Sequence, residues 1–294
     1  MLAAVQAPGL REISAKNTKS RYPLDFDQGT AAQSCLMSSV VYAFAGPGGL
    51  TLGGSCLAER LGHFVRLSTA ESEALDGLED QARSLRRGAV VISENDKPRE
   101  LFIVRSGWLH SSAVLGNGSR QILRFHFAGD VLGLSLLAFA DSPETVTAVT
   151  DVELCPFSRE RFAAVISDHP RIAALMLGLS VADRVSLADR LASIGRTSAR
   201  ARVGALICEI FARMRQLGAA NADGIQLPLT QEEIGDATGL TAVHVNRMMR
   251  ALVEDGIIAR NGNHIRLLDE KRLTAEANYV DRTRLETGWL PPAR

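Results

Sequence analysis

Between Thr230 and Leu268 the chain carries, in close succession, the start and stop signals that two short helices and a hairpin need. Thr230 stands three residues before Glu233, the spacing at which a hydroxyl and a carboxylate cap each other's backbone at a helix start. Ile234, Ala237 and Leu240 supply the apolar side of that helix, and Gly239 permits the tight turn that ends it. Thr241 caps a second helix in which Val245, Met248, Met249 and Leu252 share one side, and Gly256 stops it. Two short apolar runs then flank Asn261-Gly262-Asn263, a hairpin turn. Helix, turn, helix and hairpin in this order predict a winged helix-turn-helix, which places its second helix in the DNA major groove.

The face that the second helix leaves over carries the chemistry. At 100° per residue, Val243, Asn246, Arg247 and Arg250 gather opposite the Val245/Leu252 stripe, with Ala242 and His244 on the flanks. Arginine bonds guanine bidentately, asparagine does the same to adenine, and valine can touch a thymine methyl. The plain alternative is a helical hairpin with a solvated basic face, which needs caps, turn, core stripe and wing to coincide by chance. Overall charge does not help, because 33 basic residues balance 33 acidic ones. Locally, Arg247, Arg250, Arg260 and Arg266 face only Glu254 and Asp255 between Thr241 and Leu268. A local patch suffices, since counterion release depends on the cations that touch phosphate.

The rest of the chain reads as a sensor and its connection. Residues 1–56, rich in Ala, Gly, Ser and Pro, predict a flexible extension with a short apolar piece at Met37–Phe44. Ser68 and Glu71 form a second capping-box candidate after the helical stretch that starts at Leu57. Short β-rich runs from Ser84 to Phe157, with turns at Gly118-Ser119 and Gly129-Asp130, predict an antiparallel barrel or jelly roll. A helical segment follows from about Arg159 to Ser193, with Pro170 in a first turn and a break at Gly195. Its long part is apolar almost all round and must be covered on several sides, by the roll and by the same helix of a second subunit. The fold class is therefore α+β: a jelly-roll-like β-roll, a long dimerisation helix and a carboxy-terminal winged helix-turn-helix. The expected divisions are 1–56, 57–166, 167–195, 196–273 and a tail over 274–294.

Cysteines 35, 56, 155 and 208 form no CxxC or CxxH pair, so neither a zinc site nor a disulfide framework is expected. Cys155 and Cys208 lie in apolar runs and read as buried, inert thiols, whereas Cys35 and Cys56 fall in the flexible start, where a redox role stays open. The sequence has no apolar run long enough to span a bilayer and no leader-like amino terminus, which predicts cytoplasmic residence and no membrane partner. No triad, HExxH, P-loop or paired-carboxylate pattern occurs at usable spacing, so no enzyme is expected.

Roll, long helix and winged helix together resemble the Crp/Fnr family of bacterial transcription regulators, from about Leu57 to Leu273. The most specific stretches are LPLTQEEIGDATGLT, the helix ending in EDGII, and FAGDVLGLSLL. The resemblance implies a homodimer on double-stranded palindromic DNA, a roll of the cyclic-nucleotide-binding class, and RNA polymerase as a partner if the protein activates. It also exposes departures. Where cyclic-AMP-responsive members have Gly-Glu and then an Arg, this chain has Gly133-Leu134 and, about where the Arg should stand, Glu144. With no guanidinium expected in reach, a phosphate beside Glu144 is repelled, so neither cyclic AMP nor cyclic GMP is expected to bind. An effector pocket at Leu132, Gly133, Leu134, Glu144 and Thr145 would instead suit an apolar or aromatic molecule, with Leu136 and Leu137 adding to its wall, or hold nothing.

The cysteines do not match the cluster set of the oxygen-sensing subgroup. His110 and His126, the candidates for haem, fall in strands where a hydrogen-bonded or solvent-facing role is the simpler one. No cofactor is therefore expected. In the recognition helix, Ala242-Val243 replaces the early Arg-Glu of many members, Asn246 replaces a Ser or Gly, and His244 falls where Thr is common. Arg247 matches the family's late Arg. Thr241, Ala242, Val243, His244, Asn246, Arg247, Arg250, Arg260 and Arg266 are the expected DNA-contacting set. The competing reading is an effector-sensing protein that acts through protein partners with a vestigial DNA-binding half.

Overall fold

The computed structural model describes residues 54–293; the apolar piece at Met37–Phe44 and Cys35 lie outside them. Two short helices lead in, α1 (Cys56–Gly62) and α2 (Thr69–Asp76). The capping box of Ser68 and Glu71 closes in both directions. Ser55 caps α1, accepting from the Ala58 N–H and donating to Glu79 at 2.6 Å. Cys56 therefore begins a helix rather than ending a flexible tail. Its thiol lies 3.6 Å from the Arg105 carbonyl, and burial, reinforced by Glu79, pushes its pKa up to about 12. A thiol held so far above its ordinary range carries little thiolate, the nucleophilic form.

Eight strands form the roll: β1 (Arg83–Leu85), β2 (Val90–Ile92), β3 (Glu100–Ser106), β4 (Leu109–Val114), β5 (Arg120–His126), β6 (Val131–Leu132), β7 (Thr145–Ala148) and β8 (Val152–Ser158). They make two four-stranded antiparallel sheets, in the orders β1-β8-β3-β6 and β2-β7-β4-β5. Leu109 of β4 pairs with His126 of β5, and Ser111 with Arg124, so these four share one face by the two-residue strand period. Ile92, Phe102, Leu109, Leu132, Val146 and Leu154 form the core of the roll. On β5 and beyond it, Ile122, Phe125 and Phe127 pack instead into the core of the carboxy-terminal helices.

After the roll, α3 (Arg159–Asp168) ends at His169 and Pro170 opens α4 (Pro170–Arg196), a helix of 27 residues. Only its first half is deeply buried, through Ile172, Leu175, Met176 and Leu179. A Ser198 cap then starts α5 (Ala199–Gln216). A short strand β9 (Ile225–Gln226) precedes α6 (Gln231–Thr238) and α7 (Ala242–Glu254). The hairpin of β10 (Ile258–Asn261) and β11 (His264–Leu267) pairs at its far edge with β9, giving the wing three strands. Finally α8 (Glu270–Ala277) packs on α5, where a side chain at Gly204 would crowd Leu273 and Ala277.

Two further features differ from the expected layout. The wing's third strand is absent from the sequence reading, because two residues carry no periodicity. The expected boundary at 273 falls inside α8, so the tail begins only after Ala277. That tail folds back: Arg282 pairs with Asp189 of α4 at 2.8 Å, and Leu285 and Trp289 approach Gly178. Among the described residues, no helix is long and apolar enough to cross a membrane.

Candidate nucleic-acid interface

The local geometry of the helix pair follows from its punctuation. Thr230 and Glu233 form the complete capping box, with bonds of 3.1 and 2.7 Å. Gly239 ends α6 at a φ of 68°, in the left-handed region that costs other residues strain. Gly235 serves a different need: a Cβ there would sit 2.4 Å from the Leu240 carbonyl, so the turn can pass this close only over glycine. Thr241 accepts from the His244 N–H and opens α7. Val245, Met249 and Leu252 are buried against the domain core, and Met248 is half-buried beside it.

The remaining side of α7 faces solvent. Val243 is 82% exposed, Thr241, Ala242, Arg247 and Arg250 are exposed, and His244 and Asn246 are half-buried. The ring Nε2 of His244 lies against the Arg247 guanidinium on the helix's outer face. In the wing, Arg260 and Arg266 are exposed, and Arg260 Nε donates to the Gly262 carbonyl at 3.0 Å. Among the described residues none of these four arginines has a carboxylate within 4.0 Å. Asp255, one of the two nearby acids, is instead drawn away to Arg200 at 2.6 Å. The patch is therefore more positive than its composition.

This domain is held against the roll by polar contacts that sequence reasoning misses. Arg120 pairs with Asp236 at 2.7 Å, and the Gln121 side chain donates to the Asp236 carbonyl at 2.6 Å, which fixes α6 on β5. Deeper in, Asp130 takes the Arg60 guanidinium of α1 and, at 2.6 Å, that of Arg213 of α5. Arg124 lies 3.8 Å from the same carboxylate and bonds Asp183 of α4. Burial alone would raise the Asp130 pKa, but Arg213, Arg60 and Arg124 outweigh it and hold the group ionised well below the usual carboxylate range. The sequence marks Gly129-Asp130 only as a turn. Three cations on separate elements cannot be foreseen from one acidic residue.

The residues expected around an effector differ in packing and exposure. Leu132 is in the roll core, Gly133 takes a φ of 81°, Leu134 turns toward the core beneath α1, and Leu137 is exposed. Thr145 accepts from the Glu94 N–H at 3.1 Å. Burial raises the pKa of Glu144, while Ser111 and Arg124 act in the opposite direction. A guanidinium is thus within electrostatic reach of Glu144, contrary to expectation, although Asp183 and Asp130 already hold it. Ser111 Oγ meets His126 Nε2 at 2.6 Å, and burial and Arg124 push the His126 pKa down to about 3, so the ring is neutral. His110 is buried as well, with its pKa lowered by burial. Cys155 and Cys208 are buried thiols with raised pKa values, Cys208 to about 11.

A roll of eight antiparallel strands, followed by a long helix and a cationic winged helix, defines a DNA-binding protein with an attached β-roll module. Residues 82–169 match the cyclic nucleotide-binding domain family, and residues 201–276 match the Crp-like helix-turn-helix domain family. Similar curated proteins include the transcriptional activator protein FnrA of Stutzerimonas stutzeri, 25% identical over 77% of this chain and 90% of its own length. The fumarate and nitrate reduction regulatory protein of Escherichia coli K12 is 23% identical over 73% of this chain and 85% of its own. Of solved structures, FixK2 from Bradyrhizobium japonicum superposes with a TM-score of 0.60 at 24% identity, covering 68% of this chain and 98% of that one. A CRP-family transcriptional regulator from Thermus thermophilus gives 0.52 at 22% identity, over 70% and 100%. The chain belongs to the Crp/Fnr family of transcription regulators.

Proposed function

We propose that this regulator binds a palindromic operator as a homodimer, with α7 reading base edges and the wing gripping phosphates. The observation that carries the reading is the set of four exposed, carboxylate-free arginines, two on α7 beside Asn246 and two on the wing. Arg247, Arg250 and Asn246 have the donor patterns for guanine and adenine, Val243 offers a methyl contact, and Thr241, Ala242 and His244 lie at the helix end nearest the backbone. Arg260 and Arg266 neutralise phosphates. The proposed division is a roll with its leading helices, a dimerisation helix, the winged domain and a tail. The protein acts in the cytoplasm, without catalysis, and would touch RNA polymerase if it activates.

Support for the dimer comes from α4. Leu177, Val181, Arg184, Ala188, Leu191 and Gly195 recur at alternating steps of four and three, the spacing of a coiled-coil seam. Leu177, Val181 and Leu191 remain 59%, 45% and 73% exposed, which leaves this stripe free for a second copy. Two recognition helices would then enter successive major grooves about 34 Å apart.

The roll does not take cyclic AMP or cyclic GMP in this reading. Leu134 offers no acceptor to a ribose, Glu144 opposes a phosphate, and the nearby Arg124 is already bound to carboxylates. Gel-shift titration of a palindrome against its half-site tests the DNA reading: tighter, cooperative binding to the palindrome is expected, and equal affinity for palindrome and random duplex contradicts it. Micromolar cyclic AMP binding by calorimetry would overturn the pocket reading.

A further inference from the structure

We propose that the cleft enclosed by β5, α4, α5 and the carboxy-terminal tail is a binding site for a small organic anion with an apolar, aromatic-sized body. The inference deepens the reading of the roll half as a sensor, since the cleft lies where roll, long helix and DNA-binding domain meet. It encloses about 170 Å³, close to the size of an engineered cavity of about 150 Å³ that admits benzene. Phe64, Phe127, Leu179 and Leu206 give it an apolar floor, while Tyr279 and Leu285 of the segment after α8 close its far side. None of Leu132, Gly133, Leu134, Glu144 and Thr145 lines it, so it is separate from the nucleotide position of the roll.

Its charge is unbalanced. Six arginines line the cleft against three carboxylates. Arg190 is matched by Glu209, Arg282 by Asp189 and Arg124 by Asp183. Asp130, behind the wall, is among the described residues the single carboxylate partner of both Arg60 and Arg213, which otherwise donate to the Gly129 carbonyl and the Gln216 side chain. Arg202 has no carboxylate within 4.0 Å among the described residues. Its guanidinium reaches only the Thr197 carbonyl at 3.2 Å and the Thr238 carbonyl at 3.5 Å. Arg60 is 7% exposed, and its Nε has no partner among the described residues.

A half-buried guanidinium without a counter-ion has surrendered hydration without full return, and an oxyanion is the group that completes it. The apolar floor supplies the remainder of the recognition. Ala182, Ser186 and Ser193 of α4 line the cleft, on the opposite side of that helix from Leu177, Val181 and Leu191, so a dimer seam would leave it open. Arg202 also lies beside Gly239, the turn of the helix pair, which gives a bound anion a direct route to the DNA-binding domain.

Calorimetry of the full chain with 2-naphthoate, its neutral isostere 2-naphthamide, and benzoate tests the site. One saturable naphthoate or benzoate site per protomer is expected. Arg202→Gln should weaken the carboxylate by about tenfold, the low end for losing a charged hydrogen bond, and leave 2-naphthamide unchanged. Ala205→Phe, or Ala182→Phe from the opposite wall, should abolish binding of both naphthalene probes. The absence of saturable binding by either carboxylate, or equal carboxylate binding by wild type and Arg202→Gln, overturns the proposal. A gel shift on the same Arg202→Gln sample separates the two readings: retained DNA binding means that a lost carboxylate site is not a lost DNA-binding fold.

Discussion

Leu191→Glu should dissociate the dimer and, with it, high-affinity operator binding. Leu191 is the most exposed of the three large seam residues, at 73% against 59% for Leu177 and 45% for Val181. Full burial of such a side chain stabilises by roughly 1.5–3 kcal/mol, so closing the exposed part of all six across the axis contributes about 7 kcal/mol before association costs. Leu191 supplies about 1.5 kcal/mol from each protomer, or about 3 kcal/mol per dimer. Its loss alone weakens association by roughly a hundredfold, and two facing carboxylates weaken it further. Leu191→Ala, which removes apolar area without adding charge, should fall between. Sedimentation velocity over a range of concentrations reads the change directly, with palindrome affinity falling to the half-site value in parallel. An unchanged dimer constant in Leu191→Glu would refute the seam and relocate the interface.

Three further outcomes follow from other parts of the molecule. Arg247→Ala should lose about 1–3 kcal/mol of discrimination at one base pair per half-site, whereas Arg260→Ala should weaken specific and random DNA alike; the same loss on both DNAs for Arg247→Ala contradicts its base contact. Asp130→Ala should destabilise the fold by about 3–5 kcal/mol, because Arg60 and Arg213 keep buried charge without a partner, and thermal melts should show a drop of roughly 6 °C or more. His126 is neutral in the folded protein with a pKa near 3, against 6.5 for the free side chain, so the unfolded chain binds its proton first as the solution is acidified. Stability should therefore be whole above about pH 6.5 and fall toward pH 3, losing about 2 kcal/mol from this group by pH 5; urea unfolding of His126→Gln should show a smaller fall, and an equal one would sink the assignment.

The winged domain is legible in the sequence because its signals are local. The Thr230–Glu233 box, Gly239, the Thr241 cap and the Asn261-Gly262-Asn263 turn each act within a few residues; the caps form as read, and the hairpin closes over Gly262-Asn263 with Asn261 paired to His264. Pro170 at a helix start and the two turns of the roll are legible for the same reason. What escapes is non-local or too short to carry a period. The two-residue strand β9 is defined by its partner β11, and α8 by its packing on α5. Cys56 reads as part of a tail because Gly, Ala and Ser around it resemble a linker, while the Glu79 that anchors it is 23 residues away. The Asp130 hub joins residues up to 83 positions apart, and the charge surplus in the cleft depends on which arginines find partners.

Selection of operators from random duplex DNA by the purified full chain, with the winners sequenced, tests most directly whether a dimer reads DNA through α7. Enrichment of a palindrome whose half-site centres lie about one helical turn apart is the predicted result, with Arg247→Ala relaxing one position in each half. Enrichment of a single non-repeated site, or of nothing over the starting pool with and without cell extract, would contradict it.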